Sequence, residues 1–245
     1  GGDGSTVRYH SMLSRYTEGL AGMLTVLKAD PEKGRRLSAV NYSLKKLFRV
    51  AYAGDDWSFS NNRIIMEVKD PERLTTTKTG VAYLEWVKDD NGFCYELQLP
   101  PAQMHQMFEI MQEDLRRNFP QYDAGIEKRK MKCLVLRRTS KSDKLKSAGG
   151  KPSIYIDPFR CELQNKPLTS MVQQLALKFL AKSPLPLIDE TGYKGNVDLA
   201  IKANMSNPQS LAAALQDYGL DLIEAERTID VLVIKDRPGT LKAKL

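Results

Sequence analysis

The chain has few of the residues that metal-dependent, redox and nucleophilic enzymes use at their active sites. It contains two histidines and three cysteines in 245 residues. Neither His10 nor His105 belongs to an H-E-x-x-H motif or a Cys/His cluster, which disfavours a zinc site. The G-x-S-x-G nucleophile elbow, the dinucleotide-binding G-x-G-x-x-G and the full P-loop spacing are all missing. The sequence therefore predicts no cofactor and no familiar catalytic centre.

The cysteines are too few and too far apart for a redox pair or a disulfide framework. Cys94, Cys133 and Cys161 include no C-x-x-C pair. Three cysteines in a chain of this length do not make a disulfide scaffold. Cys133 and Cys161 alternate with apolar neighbours, which predicts small buried side chains on strands. Cys94 alternates with Glu96 and Gln98, so its thiol is expected to face outward.

Long apolar runs are also missing. No stretch approaches the roughly 20 apolar residues of a membrane-spanning helix, so no span is expected in this chain. Residues 1–5 lack the apolar core of a signal peptide, and residues 1–19 are interpreted as an N-terminal extension or an interdomain join. The hydrophobic fraction of 42% is sufficient for a packed core, and 27% of charged residues is typical of a globular protein.

Positive charge is concentrated in one segment. Residues 128–151 hold ten basic residues and one acid, Asp143, in a chain whose net charge is +7. One interpretation is a charged strand edge that blocks aggregation. The other is a surface for an anionic partner such as lipid, nucleic acid or an acidic protein; nucleic acid is disfavoured because the segment has no aromatic residue to stack on bases. The candidate contact residues are Lys128, Arg129, Lys130, Lys132, Arg137 and Arg138.

A recurring pattern of apolar spacing predicts the fold class. Helices are predicted near 43–53, 101–118, 167–181 and 208–218. Each is followed by two apolar stretches that we interpret as an antiparallel hairpin, with turns near 60–62, 128–130, 192–195 and 226–227. The prediction is an α+β fold of repeated β-α-β-β units, whose antiparallel sheets carry their helices on one face.

Two halves are predicted from these units. The first spans residues 20–138 with an irregular insertion at 70–92, and the second spans residues 154–245. Between them, the polar and basic stretch 139–153 is predicted to be a linker or long loop. In the first half, residues 20–41 are predicted to form a further hairpin. The methionine stripe of the second helix, which includes Met107, is interpreted as core.

One turn gathers enough polar groups to bind a ligand. Its candidate residues are Asp189, Glu190, Thr191, Gly192 and Gly195. The same composition is typical of a plain turn, in which short polar side chains bond to the backbone and glycine takes positive φ. A calcium site would need more carboxylates. Both interpretations stay open, and the plain turn is the favoured one.

Several stretches resemble a bacterial family of unknown function, the soil-associated domain of secreted and membrane-anchored proteins. They are residues 36–44 (RLSAVNYSL) with Ala51 and Tyr52, residues 187–195 (LIDETGYKG), Ser210, Leu211 and Leu215, and residues 231–234 (VLVI). The resemblance covers about residues 20–236 and implies an extracytoplasmic location, in the periplasm or cell envelope. It supplies no catalytic residues. The strand–helix–hairpin unit also resembles the short N-terminal domains of secretins and TonB-dependent receptors.

The resemblance has a further implication for the N-terminal region. In some family members the domain follows a thioredoxin-like, TlpA-type thiol–disulfide oxidoreductase domain. Residues 9–16 look like the join in such members, although this chain has no C-x-x-C domain of its own. We therefore expect a thioredoxin-like domain upstream in the full-length protein.

These expectations favour a non-catalytic extracytoplasmic binding or scaffolding module. Its partner would be an unidentified protein or envelope component, and it would form the C-terminal region of a thiol–disulfide oxidoreductase-like protein. Two alternatives stay open. One is an anionic-surface binder that uses residues 128–151, and the other is an enzyme with an unrecognised site near residues 189–195.

Thiol–disulfide exchange should be absent from this chain when it is tested alone. No two cysteines have redox spacing, and a thiol at an inward strand position ionises poorly. An insulin-reduction assay should therefore match the buffer blank. Turnover that disappears in Cys94→Ser would contradict this expectation and would make Cys94 the reactive residue.

Overall fold

Helices and mainly antiparallel strands make this an α+β protein, as the apolar spacing predicts. The computed structural model describes residues 8–56, 59–140 and 142–239. Their strands are β1 (His10–Arg15), β2 (Met23–Val26), β3 (Arg35–Tyr42), β4 (Ile64–Glu67), β5 (Phe93–Leu99), β6 (Tyr122–Arg138), β7 (Ser153–Ile156), β8 (Arg160–Pro167), β9 (Leu187–Asp189), β10 (Asn196–Lys202) and β11 (Leu220–Asp236). Their α-helices are α1 (Leu44–Ala53), α2 (Gly80–Trp86), α3 (Met107–Asn118), α4 (Leu168–Gln174) and α5 (Pro208–Leu215).

The four helices expected from apolar spacing are all present. Three of them are extended to about the predicted lengths by short helical turns. One turn precedes α3, and the other two follow α4 and α5. These extensions are Pro101–Gln106, Leu175–Phe179 and Gln216–Tyr218. The predicted insertion at 70–92 contains α2.

The chain divides into two compact units that alternate along the sequence. Unit 1 comprises the described residues within Gly1–Asp56, Met66–Gly125 and Leu232–Leu245; unit 2 comprises those within Trp57–Ile65 and Ile126–Val231. This division differs from the predicted halves 20–138 and 154–245. The difference arises because the chain changes unit inside β4, β6 and β11 and not in the basic stretch 139–153.

Unit 1 contains a four-stranded antiparallel sheet in the order β1-β5-β3-β2. The predicted hairpin at 20–41 is confirmed as β2 and β3, and its turn is closed by a bond from Asp30 N to Gly34 O (2.9 Å). Gly34 has φ +82°, and a Cβ there would lie 1.9 Å from the Leu99 carbonyl oxygen, so the turn requires glycine. Residues 10–15, expected in an extension or join, form β1 and pair with β5.

Unit 2 contains a three-stranded antiparallel sheet in the order β10-β8-β7, which packs with α4 and α5. Its core includes Cys161, Leu163, Leu175 and Leu211. The predicted linker or loop at 139–153 is a loop of this unit, because Leu145 is 1% exposed in the same core. Lys141 lies outside the described residues.

The predicted hairpins after α3, α4 and α5 are wrong. β6 and β11 are single strands of 17 residues that run through the expected turns at 128–130 and 226–227. They lie side by side in a sheet of order β4-β11-β6-β9. After α4, β9 pairs in parallel with β6, whereas β10 pairs with β8 in another sheet. After α1, β4 lies beside β11. The first strand of the hairpin predicted there includes Trp57 and Ser58, which fall outside the described residues.

The charge pattern explains why β6 and β11 stay extended. Lys128, Lys130 and Lys132 occur at every second position, which places them on one face of a strand. Glu224 and Glu226 have the same spacing on β11 and lie on the matching face. Opposite charges on neighbouring strands favour this pairing, whereas a tight turn at 128–130 would have neither glycine nor asparagine for its positive φ angles.

The methionine stripe of α3 belongs to the core, as its spacing predicts. Met107 and Met111 are fully buried on the face that also carries Leu115. The Met107→Asp substitution should lower the free energy of unfolding by about 3–5 kcal/mol, because it places an unpaired charge in the core. The volume-conserving Met107→Leu substitution should cost less than about 1.5 kcal/mol.

Chemical denaturation of the wild type and both variants measures this difference. Equal midpoints for the aspartate and leucine variants would show that this face of α3 is accessible to water.

Candidate functional site

The basic residues predicted to bind an anionic partner are mostly paired within the protein. Three lysines of β6 contact acids of β11: Lys128 Nζ–Asp230 Oδ1 (3.0 Å), Lys130 Nζ–Glu226 Oε2 (2.9 Å) and Lys132 Nζ–Glu224 Oε2 (2.7 Å). Two arginines also contact carboxylates: Arg137 with Asp221 at 3.1 Å and Arg129 with Glu127 at 2.7 Å. The acids of β11 therefore offset much of the positive charge that the basic segment shows in the sequence.

The turn at 189–195 is built from local hydrogen bonds. The Asp189 carboxylate accepts from Thr191 N (2.8 Å) and Thr191 Oγ1 (2.6 Å), and Gly192 has φ +63°. Glu190 forms a two-point ion pair with Arg227 (2.5 and 2.8 Å), which lowers the pKa of Glu190. Both acids of the candidate ligand loop are therefore engaged, as in the plain-turn interpretation.

The structure brings the turn at 189–195 beside the basic loop that follows β6. β6 and β9 are parallel neighbours, with Leu136 opposite Asp189. Since parallel strands end at the same edge of a sheet, the loops that follow them leave from the same place. The Arg138 guanidinium consequently lies over the Tyr193 ring, 5.5 Å from its centroid. In the sequence, these two loops are separate features about 50 residues apart.

A hollow of about 520 Å³ lies where these loops meet. We call it the loop hollow. Its walls come from the loop after β6, the end of β8 and the segment that leads into β10. They consist of Asp143, Lys146, Ser147, Gly149, Asn165, Tyr193, Gly195 and Asn196.

Asp198 binds two lining residues of the loop hollow, Ser147 and Asn165, from outside the lining. Its carboxylate accepts hydrogen bonds from Ser147 Oγ (2.7 Å), Ala148 N (2.8 Å) and Asn165 N (2.8 Å). The bonds from Asn165, Ser147 and Ala148, in that order of effect, lower the pKa of Asp198. One side chain of β10 therefore fixes both the basic loop and the end of β8. At that end, Asn165 takes the left-handed backbone conformation, with φ +47°.

Tyr193 forms one wall of the loop hollow. Its hydroxyl donates to Asp143 Oδ2 at 3.1 Å. The Asp143 carboxylate also accepts from Leu145 N and Lys146 N, and its pKa is lowered, chiefly by the bond from Leu145. Gly195 passes close to the ring: a Cβ there would lie 3.2 Å from Tyr193 Cε1. The ring is thus held by its hydroxyl and by the backbone beside it.

Two lining residues keep polar groups available. Asn196 Nδ2 donates to Asn165 Oδ1 (2.9 Å), and Asn165 Nδ2 donates to Gly150 O (2.8 Å). Among the described residues, Asn196 Oδ1 and the Lys146 ammonium have no hydrogen-bond or ion-pair partner. The loop hollow therefore presents one acceptor and one cationic donor beside an aromatic ring.

Unit 1 has a second concavity, of about 290 Å³, between α1, α3 and the start of β6. Its polar groups mostly bond to the protein. Tyr52 Oη donates to Ala124 O (2.5 Å), Gln112 Nε2 donates to Ala51 O (2.8 Å), and Glu113 pairs with Arg117 (2.8 Å). This cleft joins α1 to its neighbours, so the loop hollow is the better candidate site.

None of the three cysteines lines the loop hollow. Cys133 and Cys161 are buried, as their neighbours predict, and burial raises the pKa of both thiols, that of Cys161 to about 12. Cys94 is half-buried and donates from Sγ to Asn41 Oδ1 at 3.3 Å. Within residues 8–56, 59–140 and 142–239, no three His, Cys, Asp or Glu side chains are grouped to hold a metal ion. No helix in the same ranges is long and apolar enough to cross a bilayer.

No family model, curated protein or solved structure matches this chain. The site therefore rests on its own geometry. Of the predicted ligand-loop residues, only Gly195 lines the loop hollow. Asn165, Asn196 and Asp198 could not be predicted from the sequence, because isolated polar residues carry no spacing signal. The one available signal was the run of short polar residues at 147–153 and 189–196.

The Asp198→Asn substitution should loosen the basic loop without unfolding unit 2. Ser147 Oγ donates to Asp198 Oδ1, and Ala148 N donates to Oδ2. The asparagine amide keeps one acceptor oxygen and places at the other position a nitrogen, which cannot accept. The basic loop therefore loses one of these two bonds. Hydrogen exchange should therefore accelerate at residues 145–150 and stay unchanged in α5. Unchanged exchange at 145–150 would show that Asp198 does not hold this loop.

The wild-type loop should show a matching dependence on pH. The folded pKa of Asp198 lies below its ordinary value of 3.8, so the stabilisation is fully present above that value. It is lost as pH falls through the lowered folded pKa. Protection of residues 145–150 should therefore decrease at the acid end of a pH series, and this decrease should be smaller in Asp198→Asn.

Proposed function

We propose that this chain is a non-catalytic extracytoplasmic binding or scaffolding module whose binding site is the loop hollow. The observation that carries the proposal is the meeting of two loops, each singled out from its composition, around Tyr193. Sites for small ligands are concave and combine a few placed polar groups with an aromatic or apolar wall. The loop hollow has this composition, with the Lys146 ammonium and Asn196 Oδ1 unpaired among the described residues.

Internal pairing makes the anionic-surface alternative less favourable. The lysines of β6 lie within about one hydrogen-bond length of the acids of β11. An anionic partner would have to compete with Asp230, Glu226 and Glu224 for the same ammonium groups. Exposed ion pairs contribute little stability each, roughly 0–1 kcal/mol, but together they reduce the positive potential on this face.

The proposed location rests on the resemblance at residues 36–44 and 187–195. Residues 187–195 contain the turn that supplies Tyr193 and Gly195 to the loop hollow. A thioredoxin-like domain upstream in the full-length protein is part of the same proposal. In that arrangement the present chain would hold the redox domain near an envelope component, and thiol exchange would belong to the upstream domain.

Co-sedimentation with envelope material tests the proposal. The fluorescently labelled chain should pellet with isolated bacterial cell-wall sacculi or with envelope vesicles and should remain in the supernatant without them. Replacing the two unpaired groups, in the double variant Lys146→Ala with Asn196→Ala, should remove most of the pelleted signal. Lys202→Ala, an exposed position on the same strand as Asn196, is the matched control and should pellet like the wild type.

Two results would contradict the proposal. One is a chain that stays in the supernatant with both kinds of envelope material. The other is equal pelleting by the double variant and the wild type, which would place the contact outside the loop hollow.

A further inference from the structure

We infer that the ligand of the loop hollow is a neutral, polyhydroxylated molecule, a saccharide chain of the cell envelope. This inference rests on the proposed function and adds the chemical class of the ligand. It is drawn from the charge of the lining, the kind of polar groups in it and the position of its single aromatic ring.

The lining favours a neutral ligand. Asp143 and Lys146 are the charged side chains among the described lining residues, and their charges are opposite. Two charged groups that contact the lining, Arg138 over Tyr193 and Asp198 at Ser147 and Asn165, are also opposite in sign. An anion would be placed beside the Asp143 carboxylate and a cation beside the Lys146 ammonium. In either case the ligand removes water from the protein group that has the same charge as the ligand, and it gives that group no new partner, which is unfavourable.

The lining also disfavours an apolar ligand. Ser147, Asn165 and Asn196 contribute polar side chains, and Gly149 and Gly195 contribute backbone. Tyr193 is the single aromatic residue among the lining residues. An apolar molecule would cover Asn196 Oδ1 and the Lys146 ammonium, which have no partner among the described residues, without forming a hydrogen bond to either, and this is unfavourable.

Saccharide hydroxyls match the unpaired groups. A hydroxyl both donates and accepts, so one hydroxyl can donate to Asn196 Oδ1 and another can accept from the Lys146 ammonium. The Asn165–Asn196 amide pair already has a fixed orientation, because each amide donates to a defined oxygen. Fixed polar groups lose little freedom when a ligand binds, which strengthens binding by weakly interacting hydroxyls.

The Tyr193 ring supplies the remaining contact. The face of an aromatic ring carries partial negative charge, and the C–H groups on one side of a sugar ring carry partial positive charge, so the two surfaces attract each other. The hydroxyl bond to Asp143, the Arg138 guanidinium over one face and the close backbone at Gly195 hold this ring, so a sugar would stack on the face away from Arg138. The ring and the amide pair lie in the same hollow, as a sugar ring and its hydroxyls require.

Titration with defined oligosaccharides tests the inference. The probes are cellotetraose, chitotetraose and maltotetraose, followed by two-dimensional NMR of the full chain. Inorganic phosphate and the peptide tetra-alanine are the comparison ligands. At least one tetrasaccharide should shift the resonances of residues 143–149 and 193–196, whereas phosphate and tetra-alanine should leave them unchanged.

Substitutions at Tyr193 separate the ring from its hydroxyl. Tyr193→Leu keeps an apolar side chain but removes the ring, and it should weaken binding about tenfold or more. Tyr193→Phe keeps the ring but loses the hydroxyl bond to Asp143, so it should weaken binding clearly less than Tyr193→Leu does. Thermal unfolding of each variant confirms the fold, and Asn196→Ala provides a second test, with weaker saccharide binding expected.

The outcomes distinguish this inference from the proposed function. Envelope pelleting without any tetrasaccharide binding, or resonance shifts at the same residues with phosphate or tetra-alanine alone, would overturn the saccharide inference and leave the binding module in place. Saccharide binding that is equal in Tyr193→Leu, Tyr193→Phe and the wild type would also overturn it, since the ring would then have no role. Loss of pelleting together with loss of saccharide binding would overturn both.

Discussion

The pairing of β6 with β11 is the constraint on which the arrangement of unit 2 depends. Lysines at every second position of β6 face acids of β11, and the exposed ion pairs select this partner strand and its register more than they stabilise it. Both strands stay extended through segments that lack turn residues. Because β6 is extended to Arg138, it can take β9 as a parallel neighbour. That parallel pair brings the two loops of the candidate site to one sheet edge.

The candidate site depends on a second interaction, the set of hydrogen bonds at Asp198. A loop rich in lysine, serine and glycine gains little from burial, so a polar anchor is needed to order it. The Asp198 carboxylate provides one by accepting from both the basic loop and Asn165. Leu145 adds an apolar contact to the core. The resulting walls are polar and are held by the protein's own hydrogen bonds, which is the property that the proposed binding function requires.

Local patterns predicted much of the fold and little of the site. Helix positions and the burial of Met107 followed from apolar spacing at 3.6 residues. The burial of Cys161 followed from the alternation of apolar residues along a strand. The predicted hairpins failed because two apolar stretches in succession do not reveal whether the polar residues between them turn or continue. The spacing of Lys128, Lys130 and Lys132 at every second position was the available signal for a continuous strand.

The amino-acid sequence by itself determined the α+β class, the helix positions, the isolation of the three cysteines and the two loops that carry polar groups. These properties depend on residues close together in the chain. Only the tertiary structure decided that β6 pairs with β11 and β9, that Asp198 anchors the basic loop, and that Tyr193 meets Asp143. Such contacts join residues 50 or more positions apart. They are selected by the packing of whole strands, because a polar side chain has many equivalent partners until the backbone has placed one of them within hydrogen-bond distance.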